Sequence, residues 1–172
     1  SNLFSTYVKT QQEQTSETLN NQKQAMAGLG KSLSNQNQQV KSLDKLQQLT
    51  KEKKVLDYKD QLRIQDFLEK QKQQDLLMKD FSKKLQDNLQ DFQPDKKDDF
   101  KEQLLERLAQ TEKKLEQNQK ILEELKELNQ KLDNQDLKDK LERLKNQSKS
   151  QTKSLQQLLE LTKKFYVEKK LE

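Results

Sequence analysis

Phe92-Gln93-Pro94-Asp95-Lys96-Lys97-Asp98-Asp99-Phe100 holds the single proline of the 172-residue chain. Pro94 lacks an N–H and its ring clashes with the carbonyl four residues back, so it cannot continue a preceding helix. Its fixed φ suits the first position of a new one. Asp95, Asp98 and Asp99 would then stand at the positive end of that helix's dipole. The stretch reads as a helix reversal at Pro94.

On both sides of it the apolar residues recur at alternating spacings of three and four, the a/d seam of a coiled coil. Upstream the series is Ile64, Phe67, Gln71, Gln74, Met78, Phe81, Leu85, Asn88 and Phe92; downstream it is Leu104, Leu108, Thr111, Leu115, Asn118, Leu122, Leu125, Asn129 and Leu132. Folding the two about Pro94 sets Leu85 against Leu104, Phe81 against Leu108, Phe67 against Leu122 and Ile64 against Leu125. The same register puts Gln71 opposite Asn118 and Asp60 opposite Asn129. Polar pairs in a seam cost stability but penalise slipped registers.

The seam extends further in both directions. Leu19, Gln22, Met26, Leu29, Leu33, Gln36, Val40 and Leu43 carry it in the N-terminal part, and Leu137, Leu141, Leu144, Ser148, Gln151, Leu155, Leu158, Thr162 and Phe165 after a phase slip. Residues 1–50 are therefore expected to form a Gln-rich helix and residues 51–172 the hairpin. The slip at 133–136 reads either as a short turn capped by Asn134 or as a stutter in one helix. Softer interruptions are expected at Gly28–Gly30, at Thr50–Lys54 and through Asn146–Ser154. Lys41–Lys51 faintly resembles Lys153–Lys163, and in so biased a composition heptad convergence accounts for the likeness without common ancestry.

Composition points the same way. Leu occurs 30 times against six for Val and Ile together, Gln 28 times, and Gly only twice. Leu loses little rotamer freedom in a helix, whereas strands draw on β-branched residues and sheets on turn residues. Apolar residues make up 29%, against about 45–50% in an ordinary globular domain, so no large spherical core is expected. The absence of Cys and His excludes disulfides, thiolate or imidazole metal ligands and the nucleophiles and bases built from them.

The net charge of +5 comes from 34 basic and 29 acidic residues that interleave. Glu116 with Lys120, Glu127 with Lys131, Asp136 with Lys140 and Asp139 with Arg143 stand at the i,i+4 spacing of a solvated helix face. A nucleic-acid reader needs a basic stripe free of carboxylates, so nucleic acid is not the expected partner. Acid pairs such as Asp95 with Asp99, or Glu102 with Glu106, read as surface charge rather than metal ligands, and Gly28-Leu29-Gly30-Lys31 lacks the rest of a phosphate loop. The sequence offers no transmembrane run, signal peptide or lipid-anchor cysteine, and a soluble, cytoplasmic chain without cofactor is the expectation.

The segment from Leu29 to Leu43 resembles the centre of a Q-SNARE helix: Gln36 stands alone in the seam, with Leu33 three before it and Val40 four after. The likeness covers residues 19–43. It implies that Gln36 joins a polar layer among four helices, with Leu19, Met26, Leu29 and Leu43 in flanking layers. The in-phase positions after Leu43 are Gln47, Thr50 and Lys54, which depart from that pattern.

These readings converge on an all-α protein, an elongated antiparallel hairpin or coiled coil that can fold back into a bundle of three or four helices. The expected function is a non-catalytic scaffold or tether acting through helix–helix contacts, within a larger protein assembly or with itself. The alternatives are a SNARE-like trafficking component, and a secreted or surface helical protein of a microbe such as an adhesin or secretion-system component.

Overall fold

Polar caps at three breaks divide the chain into helices. The computed structural model describes residues 10–92, 96–131 and 133–171, in which the chain forms α1 (Gln11–Glu52), α2 (Tyr58–Asp91), α3 (Asp99–Lys131) and α4 (Asn134–Leu171). Thr10 opens α1 by accepting from the Glu13 N–H at 3.1 Å. Asp57 and Asp60 open α2 with a capping box, each carboxylate taking the other's backbone N–H at 2.9 and 3.0 Å. At α3 the Asp98 carboxylate accepts from the N–H groups of Phe100 and Lys101 at 3.0 and 3.3 Å.

Some boundaries differ from the sequence reading. Pro94 and Asp95 lie outside the described residues, but α3 begins only at Asp99, so Asp98 rather than Pro94 opens it. The slip at 133–136 is a turn, and its cap is Asp133, which accepts from Asp136 N–H at 3.4 Å while Asn134 is already helical. Helix α1 runs unbroken through Gly28 and Gly30, and α4 runs unbroken through Asn146–Ser154. Within that run the Thr152 hydroxyl returns to the Ser148 carbonyl at 2.7 Å, keeping a polar group satisfied inside a helix.

Each helix packs against two neighbours, α1 on α2 and α4, and α3 on α2 and α4, while the backbones of the diagonal pairs stay further apart. This is a square, up-down-up-down four-helix bundle with the short connections that such a topology needs. The N-terminal helix is thus the fourth wall of the hairpin's bundle. At about 1.5 Å per residue, the 42 residues of α1 span roughly 60 Å. Helices α1 and α4 begin and end, respectively, at one end of it, and the 53–57 turn and the start of α4 share the other, where Asn134 and Lys138 donate to the Lys54 and Lys53 carbonyls.

Four-helix packing also widens the buried stripe beyond an a/d seam. Of the seam residues, Leu29, Leu33, Gln36, Leu43, Ile64, Phe67, Leu85, Leu104, Leu108, Leu122 and Leu125 are buried. Leu19, Met26, Val40 and Phe81 are only half-buried, and Ala25, Ser32, Leu68, Asp75, Ser82 and Leu89 join the interior beside them. Phe81 does not face Leu108 alone but leans across α1, so close to Gly28 that a Cβ there would lie 2.2 Å from its ring. Gly28 is a close-approach glycine. Gly30 is not, since a Cβ there meets only Leu159 at 3.7 Å.

The two glycines give a first prediction. Gly30→Ala is expected to stabilise the bundle by up to about 1 kcal/mol, the helix-propensity difference. Gly28→Ala, which must displace the Phe81 ring, is expected to gain less or to lose stability. Urea unfolding followed by circular dichroism separates them, and an equal gain at both positions would mean that Phe81 does not pack there.

The α2–α3 register agrees with the expected pairing to within one residue. Asn129 Nδ2 donates to the Gln61 carbonyl, and Gln61 Nε2 to the Asn129 carbonyl, both at 3.0 Å. Asp60, expected opposite Asn129, turns to Lys53 instead. Ion pairs differ as well: Glu116 reaches Lys79 on α2 at 3.1 Å, and Lys140 reaches Glu124 on α3, so both leave the i,i+4 partners the sequence offered. In a closed bundle the flank of one helix is nearer to its neighbour's flank than the open solvent face assumed for an isolated helix.

Candidate functional site: a polar layer at the waist of the bundle

The apolar interior falls into two clusters with a gap between them. One holds Leu29, Leu33, Met78, Leu85, Leu108, Leu115, Leu155 and Leu158 and ends in the edge-on ring cluster of Phe92, Phe100, Phe165 and Tyr166. The other holds Leu43, Leu46, Leu56, Ile64, Phe67, Leu122, Leu125, Leu137, Leu141 and Leu144. Between them every helix supplies buried polar side chains: Gln36 from α1, Gln71, Gln74 and Asp75 from α2, Asn118 from α3, and Ser148, Gln151 and Thr152 from α4.

Hydrogen bonds tie this layer together. Gln71 Nε2 donates to Gln36 Oε1 at 2.9 Å and to Asp75 Oδ1 at 2.8 Å. Gln74 Nε2 donates to the Ser32 carbonyl, and Asn118 Nδ2 to Gln151 Oε1. Gln71 and Asn118, expected to face one another, do share the layer, but each bonds to its other neighbour: Gln71 to α1 and Asn118 to α4. Gln36 therefore sits in a layer drawn from four helices, all of them segments of one chain.

Asp75 is the unusual member. Its side chain belongs to a residue 1% exposed, and Oδ2 has no hydrogen-bond partner among the described residues. Burial pushes its carboxyl up to about 7, only partly opposed by the Gln71 hydrogen bond. Among the described residues no cation pairs with it, unlike Asp60 at the far turn, which Lys53 holds. There burial would also raise the Asp60 carboxyl, but hydrogen bonds from Lys53 Nζ at 2.9 and 3.1 Å and from the Asp57 backbone bring it below its ordinary value.

Sequence reasoning named Gln36, Gln71, Gln74, Asn118 and Gln151 as seam residues but passed over Asp75. The signal lay in the position directly after Gln74, which a two-stranded seam leaves at its edge and a four-helix interior covers. A further buried ionisable group, Lys101, closes the other end of α2. Its Nζ donates to the Phe92 carbonyl at 2.6 Å and the Gln90 carbonyl at 3.4 Å, and burial lowers its pKa against the pull of Asp98 and Asp91. A lysine on the last carbonyls of a helix meets the negative end of its dipole.

Among the described residues no group of three or more acidic side chains is placed to hold a metal ion, and no helix is long and apolar enough to cross a membrane. A surface groove of about 480 Å³ runs between α2 and α3 and is lined by Leu62, Leu68, Leu122 and Asn129 with charged flanks. No protein-family model, curated protein or solved structure matches this chain.

Proposed function

We propose that the chain is a non-catalytic helical scaffold or tether that works through its helix faces as a component of a larger protein assembly. The observation that carries this reading is on α2. That helix already packs on α1 and α3, yet its outward side still presents Leu62, Leu76 and Leu77, which are 45%, 46% and 49% exposed. Leu62 and Leu76 are fourteen residues apart, four turns along one face, and Leu62 borders the α2–α3 groove. Such a row suits a further helix laid along the bundle.

The waist layer supports a rigid spacer. A bundle whose interior amides bond across its walls resists axial slip, the best-attested use of buried polar residues in coiled coils. A SNARE-like role is a second reading, motivated by Gln36. It requires a partner helix to replace one of the chain's own, and is separated from the first by whether Gln36→Leu changes partner choice or only stability.

Changing Leu62, Leu76 and Leu77 together to Glu tests the scaffold reading. Because all three are exposed, stability should shift by no more than about 0.5 kcal/mol per site. Size-exclusion chromatography with absolute molar mass, run on native extract, should show the large complex with the wild type and the free chain with the variant. A large complex that survives the folded triple variant would sink the assignment of this face.

A further inference from the structure

A second groove, about 400 Å³, runs between α1 and α2 on the side of the waist nearer the 53–57 turn. Leu46, Leu49 and Phe67 line it. Leu46 and Phe67 are buried and Leu49 half-buried, so this apolar floor is recessed between the two helices. Lys45 stands on the α1 rim, and Arg63 and Lys70 on the α2 rim.

The charges of this groove do not cancel. Among the described residues Asp66 is the one carboxylate of the lining, so three cations against one acid leave +2. Asp66 pairs with Lys70 at 3.1 Å, and Lys45 and Arg63 are exposed without an ion pair among the described residues. Beyond the end nearer the turn, Glu52 and Lys59 add one charge of each sign, while Asp57 and Asp60 are held by Lys53. The α2–α3 groove has the opposite balance, with Lys72 and Lys126 against Asp66, Glu69 and Glu123.

We propose that the α1–α2 groove takes an acidic amphipathic helix of a partner protein. A helix laid in a groove offers an apolar side chain to the floor and polar flanks to the rims. The rims select carboxylates on those flanks, because complementary charge favours the right partner and repels the wrong one. Arg63 and Lys70 are seven residues apart, two turns or about 10 Å along α2. A guest lying along α2 therefore meets both with carboxylates one heptad apart and meets Lys45 with one on its other flank. Its Leu or Phe sits between them, over Phe67. A nucleic-acid strand would bring phosphates to the rims but no apolar side chain to the floor. This inference rests on the scaffold reading and gives the chemistry of the partner; that reading fails if the wild type runs as a free chain in native extract, whereas the groove stands or falls on peptide binding.

Fluorescence anisotropy with the full-length chain and labelled synthetic helices of about three heptads tests it. One peptide has a Leu face and Glu flanks; the other carries Lys in place of Glu. The acidic peptide should bind at least about tenfold more tightly than the basic one at low salt, and added salt should weaken it. Lys45→Glu with Arg63→Glu, both exposed and checked for unchanged melting, should weaken the acidic peptide about tenfold, since each site turns from attraction to repulsion. Lys120→Glu with Lys126→Glu makes the same change in net charge on α3, where both lysines are exposed, and should leave binding within about twofold. Equal binding of the two peptides by the wild type overturns the proposal, and so does an equal loss in the α3 variant. Duplex DNA that binds more tightly than the acidic peptide, with the same loss in the groove variant, assigns the groove to nucleic acid and overturns it as well.

Discussion

Asp75→Asn is expected to flatten the pH dependence of the bundle's stability and to strengthen the bundle above neutral pH. An aspartate carboxyl of 3.8 in the unfolded chain and about 7 in the fold keeps its proton longer when folded. Below pH 4 both states hold the proton and nothing is lost. Between those values the fold gives up about 1.4 kcal/mol per pH unit, reaching about 4 kcal/mol above pH 7, where the loss becomes constant. The amide of Asn carries no charge, keeps an acceptor for Gln71 Nε2, and removes this slope.

Urea unfolding at pH 4.5 and pH 8 should therefore show the wild type weaker at pH 8 by several kcal/mol through this group alone, and the variant nearly level. An unchanged slope in Asp75→Asn would mean that the carboxylate reaches water. Asp60 acts in the opposite sense. Its folded value lies below 3.8, so the stability it contributes is present above that pH and is lost as the pH falls through the folded value. Asp60→Asn should accordingly weaken the bundle at neutral pH and leave it unaffected in strong acid.

Leu85→Asp is expected to cost about 4 kcal/mol or more. Leu85 is fully buried in the apolar cluster that ends in the Phe92 and Phe165 rings, and a carboxylate there is left without partner or water. Leu122→Asp, at 4% exposure in the cluster around Ile64 and Leu125, should cost a similar amount. Lys120→Asp, two residues earlier but exposed, should change stability by no more than about 0.5 kcal/mol. With total stabilities of about 5–15 kcal/mol for domains, either leucine change alone can unfold much of the population at room temperature. Equal melts for all three variants would contradict the burial of α2 and α3 described above.

The helices themselves were legible because Leu-rich spacing of three and four is a property of the sequence alone. What spacing does not contain is the number of neighbours. A seam read as two-stranded predicts Phe81 against Leu108 and leaves Asp75, Ser82 and Leu89 at the edge; with α1 and α4 present, that edge becomes interior. The caps were partly legible for the same reason. Asp98 and Asp133 are common cap residues, but choosing them over Pro94 and Asn134 takes backbone geometry. Gln36 and Asn118 were visible as polar seam residues, whereas their partners, Gln71 and Gln151, depend on which wall each helix turns toward.

Zero-length carbodiimide cross-linking of a mixture of isotopically light and heavy chains tests the central claim, that one chain closes all four walls. Asp44 on α1 lies 2.9 Å from Lys145 on α4, and Glu116 on α3 lies 3.1 Å from Lys79 on α2. The closed bundle predicts that both couplings form within single chains, light to light and heavy to heavy, at the 20.5 kDa monomer mass. Asp44–Lys145 couplings found mainly between light and heavy chains would mean that the fourth wall comes from a second copy.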